Sequence, residues 1–267
     1  MIGNSHVGAL KLAWDALRTS PQACELTFFA QRQARILDLL SKGNRLVPSS
    51  KQQRAQLKLT SGGLGEIDTA AYDIFLVYGL YPSPSLTEDG RRYSQAVREA
   101  AVLDRALGSG TYEMVQRLRA ITPKLILVGL SPLRANVPDT SSRTVQHLRA
   151  ITRKPMLMGL SRLRTNSAGS ALPPPLMPYR DTIDILDRRV FAPLDARLIP
   201  QPAETIVDGR ATDAKYTIGS RRLSAGSKGA FYPDQDNGHM NEAYGRVWLL
   251  NLQRHLVEQG SRATLRA

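Results

Sequence analysis

Cysteine is almost absent from this sequence, and that shortage excludes two architectures at once. Cys24 alone among 267 residues leaves no partner for an internal disulfide and no thiolate cluster for zinc. Long apolar runs are missing too. No stretch approaches the roughly 18–20 consecutive apolar residues that span a bilayer, so no membrane span is expected. Histidine occurs only 4 times, never with Asp or Glu at metal-ligand spacing, so neither a metal nor any other cofactor is expected. Aromatic residues make up 6%, too few for a platform that stacks nucleic-acid bases. No basic segment followed by an apolar one opens the chain, and the expected location is cytoplasmic. A G-x-x-x-x-G-K-[ST] phosphate loop is lacking, and Gly62-Gly63-Leu64-Gly65 does not stand between a strand and a helix as a dinucleotide fingerprint does.

What is present is an ordinary core and a basic surface. Hydrophobic residues are 42% and charged residues 22%, a composition that folds. The net charge of +13 comes mostly from arginine, 28 copies against 8 lysines. They are scattered as singles and pairs, such as Arg91-Arg92, Arg188-Arg189 and Arg221-Arg222. Scattered charge reads as a solvated face, so a nucleic-acid partner is not expected.

Short β-type runs alternate with helical stretches, which predicts an α/β fold with a mostly parallel sheet covered on both faces, in one domain over residues 1–267. Strands are expected at Met1-Ile2, at residues 26–30, at 72–78 and at 197–199. Only two residues precede Gly3, so the first strand is either stunted or begins upstream of Met1. The 72–78 run (YDIFLVY) is nearly all apolar, as a strand buried on both sides must be. Val7, Leu10, Trp14 and Leu17 fall on one face of a helix. Further helices are expected over residues 31–41, 88–107, 182–191 and 241–258, with a polar connection at 42–66 and irregular chain at 167–179 and 200–235.

Residues 113–136 and 143–166 repeat one another at 15 of 24 positions, each copy a helix then a strand ending in Gly-Leu-Ser. Two copies are too few for a solenoid. They read as a duplicated helix–strand unit in a larger sheet, and both copies are expected to form strands.

Two short motifs carry possible chemistry. Gly3-Asn4-Ser5-His6 lies between the first strand and the first helix. There a serine sits at the carboxyl edge of a parallel sheet and at a helix N-terminus that favours a developing oxyanion. Serine is also a common N-cap, which needs no catalysis. Asp236-Asn237-Gly238-His239 precedes the last helix. An aspartate three residues before a histidine can accept its Nδ1–H and leave Nε2 to take a proton from serine; Asp-Asn-Gly is equally turn chemistry. His6 either lines the site or faces solvent, and His147 and His255 read as surface residues.

Taken together, these two motifs resemble the blocks of the SGNH/GDSL hydrolase superfamily. That family places a Gly-Asp-Ser block after the first strand and an Asp-x-x-His block before the last helix, on a flavodoxin-like α/β/α sandwich. Here Gly3-Asn4-Ser5 matches the first block with Asn for Asp, and Asp236-x-x-His239 matches the last. The resemblance implies Ser5 as nucleophile, His239 as general base and Asp236 as its orienting carboxylate. It further implies an oxyanion hole from the Ser5 N–H and a glycine of Ser61-Gly62-Gly63, either Gly62 or Gly63. The family's Gly-x-Asn turn corresponds to Gly79-Leu80-Tyr81, with Tyr81 where the family has its asparagine donor. The implied activity is cofactor-free hydrolysis of a carboxylic (acyl or acetyl) ester, on a small-molecule or carbohydrate substrate. The competing expectation is a domain of the same fold that binds a carbohydrate, an acyl ligand or a protein partner without turnover.

Overall fold

A computed structural model describes residues 1–17, 24–32, 35–81, 93–135, 177–223, 230–233 and 236–264. Five parallel strands form its centre. They are β1 (Ile2–Gly3), β2 (Phe29–Ala30), β6 (Ile74–Tyr78), β7 (Leu125–Gly129) and β8 (Ala196–Ile199), side by side in the order β2-β1-β6-β7-β8. Counting only these strands along the chain, the order is 2-1-3-4-5, the doubly wound, flavodoxin-like arrangement. The register puts Ile2 between Phe29 and Val77, and Gly3 between Ala30 and Tyr78. The first strand lies inside the sheet.

Helices cover both faces, which makes the fold a three-layer α/β/α sandwich. Along β6, Phe75 and Val77 enter one core while Leu76 and Tyr78 enter the other. β7 divides in the same way, with Ile126 and Val128 on one side and Leu127 on the other. Side chains alternate across a strand with a period of two. Because both faces are buried, the alternation is apolar on apolar and the sequence reads as an unbroken run. On one face lie α1 (Val7–Leu17) and α6 (Glu242–Thr264), giving Leu10, Trp14, Tyr244 and Trp248 to the core. On the other lie α3 (Gln95–Leu107), α4 (Gly110–Ile121) and α5 (Tyr179–Leu186), giving Val102, Met114, Leu118 and Leu186.

The structure departs from expectation between β2 and β6. Among the described residues of 31–41, the chain holds a 3₁₀ turn (Arg35–Asp38) in place of the expected helix and then enters β3 (Leu40–Lys42). The polar connection at 42–66 is itself structured. Gly43, at φ +57°, turns β3 into β4 (Arg45–Val47), and β5 (Ile67–Asp68) completes a three-stranded antiparallel sheet. Between them runs α2 (Lys51–Ser61), whose Ser50 side chain accepts from the Gln53 N–H as an N-cap. α2 buries only Gln53, Leu57 and Thr60, so two of its three inward positions are polar and its sequence carries almost no hydrophobic period. The helix expected over 182–191 ends at Leu186 and continues as a π-helical turn, Asp187–Phe191. The irregular stretch after β8 contains a small antiparallel pair, β9 (Ile206–Val207) with β10 (Ala211–Thr212). Of the duplicated unit, the first copy forms α4 and β7 as expected; the second lies outside the described residues. No helix among the described residues is long and apolar enough to cross a membrane.

The α1–α6 contact is set by one glycine. A Cβ on Gly245 would stand 2.1 Å from the Ala9 carbonyl oxygen and 2.6 Å from its carbon, so the two backbones touch where only hydrogen fits. Gly245→Ala is therefore expected to destabilise the protein by about 2–3 kcal/mol through forced separation of the helices. The drop is read as a lower denaturation midpoint in urea. Gly8→Ala is the contrast, because its Cβ meets only Leu223 at 3.6 Å. In α1 that substitution is neutral or stabilising by up to about 1 kcal/mol.

Candidate active site

The order of the sheet reverses between β1 and β6, and ligands in doubly wound folds bind outside the strand ends at such a point. Both strands deliver a tight turn there. A Cβ on Gly3 would lie 2.2 Å from the Tyr78 carbonyl oxygen and 2.5 Å from Val7, so the exit from β1 admits only glycine. Gly79, at φ +76°, turns the exit of β6, where a Cβ would meet Asn4 Oδ1 and His6 Cβ at 2.8 Å. Asn4 ties the two turns together. Its Nδ2 donates to the Gly79 carbonyl at 2.6 Å and its Oδ1 accepts from the His6 N–H at 3.0 Å. Ser131, just beyond β7, donates its hydroxyl to the same Gly79 carbonyl at 2.8 Å and to the Tyr81 carbonyl. α1 then starts with bonds from the Val7 N–H to the Asn4 carbonyl and from the Gly8 N–H to the Ser5 carbonyl. Ser5 stands in that first turn, half-buried.

The second motif comes from the approach to α6. The Asp236 carboxylate accepts the backbone N–H groups of Gly238 and His239 through Oδ1, at 2.9 and 2.8 Å, which closes the turn. Asn237 anchors that turn to the chain beyond β7, its carbonyl accepting from the Ala135 N–H at 2.8 Å. Asn241 starts α6, accepting from the Tyr244 N–H and donating to the Lys215 and Ile218 carbonyls.

These two turns bring Ser5, His239 and Asp236 into line. His239 Nδ1 lies 2.8 Å from Asp236 Oδ2, and His239 Nε2 lies 3.0 Å from Ser5 Oγ. A carboxylate can only accept, so Nδ1 carries the ring proton and Nε2 is left as the acceptor for the Ser5 hydroxyl. Burial alone pushes the Asp236 carboxyl up, but the His239 and Gly238 bonds outweigh it and hold the group below the usual carboxylate range. Two rings stack with the imidazole. Tyr232 lies at 3.8 Å between centroids and 9° between planes, and His6 at 5.5 Å and 25°. The Arg222 guanidinium sits over Tyr232 at 4.9 Å. Ser5 and His239 open into a cleft of about 240 Å³ whose other walls include Gln31, Arg32, Gln56 and Thr60.

The remaining expected site residues are placed elsewhere. Gly62 is the C-cap of α2, at φ +79°, and its N–H donates to the Lys58 carbonyl; the Gly63 N–H bonds the same oxygen at 2.8 Å. Both glycines are exposed and neither lines the cleft, so their donors are spent on ending a helix. The Gly79 N–H is spent on the Gly129 carbonyl at 3.0 Å. Tyr81 is 2% exposed in the core on the α3–α5 face, and burial pushes its phenol up to about 12. The oxyanion donors expected from Gly62, Gly63, Gly79 and Tyr81 are thus not available at Ser5. The Ser5 N–H stays at the helix N-terminus, and the chain leaving β2 at Gln31 and Arg32 borders the cleft in their stead. Tyr232, Arg222, Arg32 and Gln31 were not singled out as site residues from sequence. The one local clue was the position of Tyr232 four residues before Asp236.

Compared with protein-family models, curated proteins and solved structures, the chain matches none.

His6 makes the site sensitive to acid. Its Nδ1 is buried without a hydrogen-bond partner, and burial, then the proximity of His239, pushes the ring down to about 4 from 6.5. The unfolded chain therefore binds a proton that the folded chain refuses throughout that window. Stability from this group is full above pH 6.5 and is lost as the pH falls toward 4, by at most about 3 kcal/mol. In unfolding titrations across that range, His6→Gln is expected to flatten the slope, and an unchanged slope would mean that His6 is not the group responsible.

Proposed function

We propose that the chain is a serine ester hydrolase of the SGNH/GDSL type, acting on a carboxylic ester through an acyl-serine intermediate. One observation carries this reading: Ser5 Oγ, His239 and Asp236 are joined by bonds of 3.0 and 2.8 Å beside an open cleft. The Ser5 hydroxyl gives its proton to His239 Nε2 as Oγ attacks the ester carbonyl. The imidazolium is held by Asp236 Oδ2 and by the face of Tyr232, a contact that favours cations. The negative oxygen of the tetrahedral intermediate faces the Ser5 N–H and the positive end of α1. His239 then protonates the leaving alcohol. A water molecule, giving its proton to His239, releases the acid and restores Ser5.

A second reading, a domain that binds without turnover, is favoured by the commitment of the Gly62, Gly63 and Gly79 donors to other carbonyls. An oxyanion hole short of one donor loses about 10²–10³ in rate. Hydrolysis of p-nitrophenyl acetate separates the readings. Wild type is expected to turn over, Ser5→Ala to lose at least about 10⁴-fold, and Asp236→Asn about 10³–10⁴-fold through the wrong histidine tautomer. Wild type that is folded yet no faster than Ser5→Ala would select the binding reading.

A further inference from the structure

Two arginines border the Ser5 cleft. Arg32 follows β2 and Arg222 precedes the Tyr232 segment; both are exposed, and neither has an ion-pair partner among the described residues. Arg222 is nevertheless held in place. Its guanidinium lies over the Tyr232 ring at 4.9 Å, and that ring stacks on His239. A guanidinium placed over a ring can still turn in-plane N–H groups toward an oxyanion, which it grips bidentately. The arginines share one neighbourhood. Burial raises the Tyr232 phenol and Asp236 adds to this, while the charges of Arg222 and Arg32 both pull it the other way. Besides the arginines, the lining carries the polar side chains of Gln31, Gln56 and Thr60 next to Gly8, Ala30, Leu223 and the Tyr232 ring. Past Arg32 the cleft adjoins a depression of about 210 Å³ lined wholly by polar side chains, among them Arg35 and a single carboxylate, Asp38.

We propose that the ester taken by this cleft carries an anionic oxygen group beside the scissile bond, gripped by Arg222 and Arg32. The proposal rests on the ester-hydrolase reading and assigns that site its substrate class. A free carboxylate and a phosphate share the required chemistry, and the test separates them.

The test compares kcat/KM for p-nitrophenyl hemisuccinate and p-nitrophenyl butyrate, chains of equal length that differ by a terminal carboxylate. Wild type is expected to favour the hemisuccinate by about tenfold at low salt, since charge-assisted bonds are worth that factor or more. The advantage shrinks with added NaCl, as exposed charge pairs do. Arg222→Gln and Arg32→Gln are each expected to cut the ratio several-fold. A wild-type ratio near one, or a ratio that survives in the double variant, overturns the proposal while leaving ester hydrolysis standing. Calorimetric binding of succinate and of inorganic phosphate to Ser5→Ala supplies the arm that needs no turnover. Succinate binding lost in Ser5→Ala/Arg222→Gln supports a carboxylate, and phosphate binding lost in the same way supports a phosphate. No binding of either overturns the anion site. If neither ester is cleaved but an arginine-dependent anion binds, the anion site stands and the hydrolase reading falls.

Discussion

The bond from the Asn4 amide to the Gly79 carbonyl is the clasp on which the rest of the site hangs. β1 has only two residues, so its backbone ladder to β6 is short and its carboxyl end needs a further tie. Asn4 provides it at 2.6 Å, and its other amide atom receives the His6 N–H. One side chain thereby fixes the distance between two strand exits and the pitch at which α1 departs. The left-handed turn at Gly79 presents its carbonyl to Asn4 and to Ser131 at once. That oxygen joins three consecutive strand ends of the sheet. Without the clasp Ser5 would ride on a helix start free to tilt, and its 3.0 Å approach to His239 would be lost.

His239 is restrained from the other direction. Asp236 uses one carboxylate oxygen for the backbone turn and the other for the imidazole, so the group that orients the ring is itself oriented by the residues it precedes. Tyr232 limits rotation about the ring face, and Arg222 closes the stack on the solvent side. The two halves of the site are therefore rigid separately, and the α1–α6 contact at Gly245 brings them into register.

Much of this was legible in the residues, for identifiable reasons. β6 and β7 announce themselves because strands buried on both faces must be apolar throughout. Ser5, Asp236 and His239 lie in short motifs beside helix starts, where the chemistry and the turn geometry are both local. α2 was hidden because its buried face is mostly polar, with Gln53 and Thr60 beside Leu57. The expectation at Gly62, Gly63 and Gly79 failed for a deeper reason: it concerned backbone N–H groups, and the sequence does not say whether an N–H is free. At Gly62 and Gly63 the helix end had already claimed them. The ring stack from Arg222 through Tyr232 to His239 was equally hidden, since a face-to-face contact is a property of the fold and leaves no spacing rule behind.

The hydrogen bond between Ser5 Oγ and His239 Nε2 joins residues 234 positions apart, and that separation orders events during folding. Ser5 is local to α1 in the chain, whereas the helix and the histidine it meets come from the other end of the fold. α1 has no partner along the Gly245 groove until α6 docks, so that part of its apolar face stays uncovered until the contact forms. Contacts of such long sequence separation form late. The Ser5–His239 bond therefore forms together with the docking of α6, the helix that buries that face.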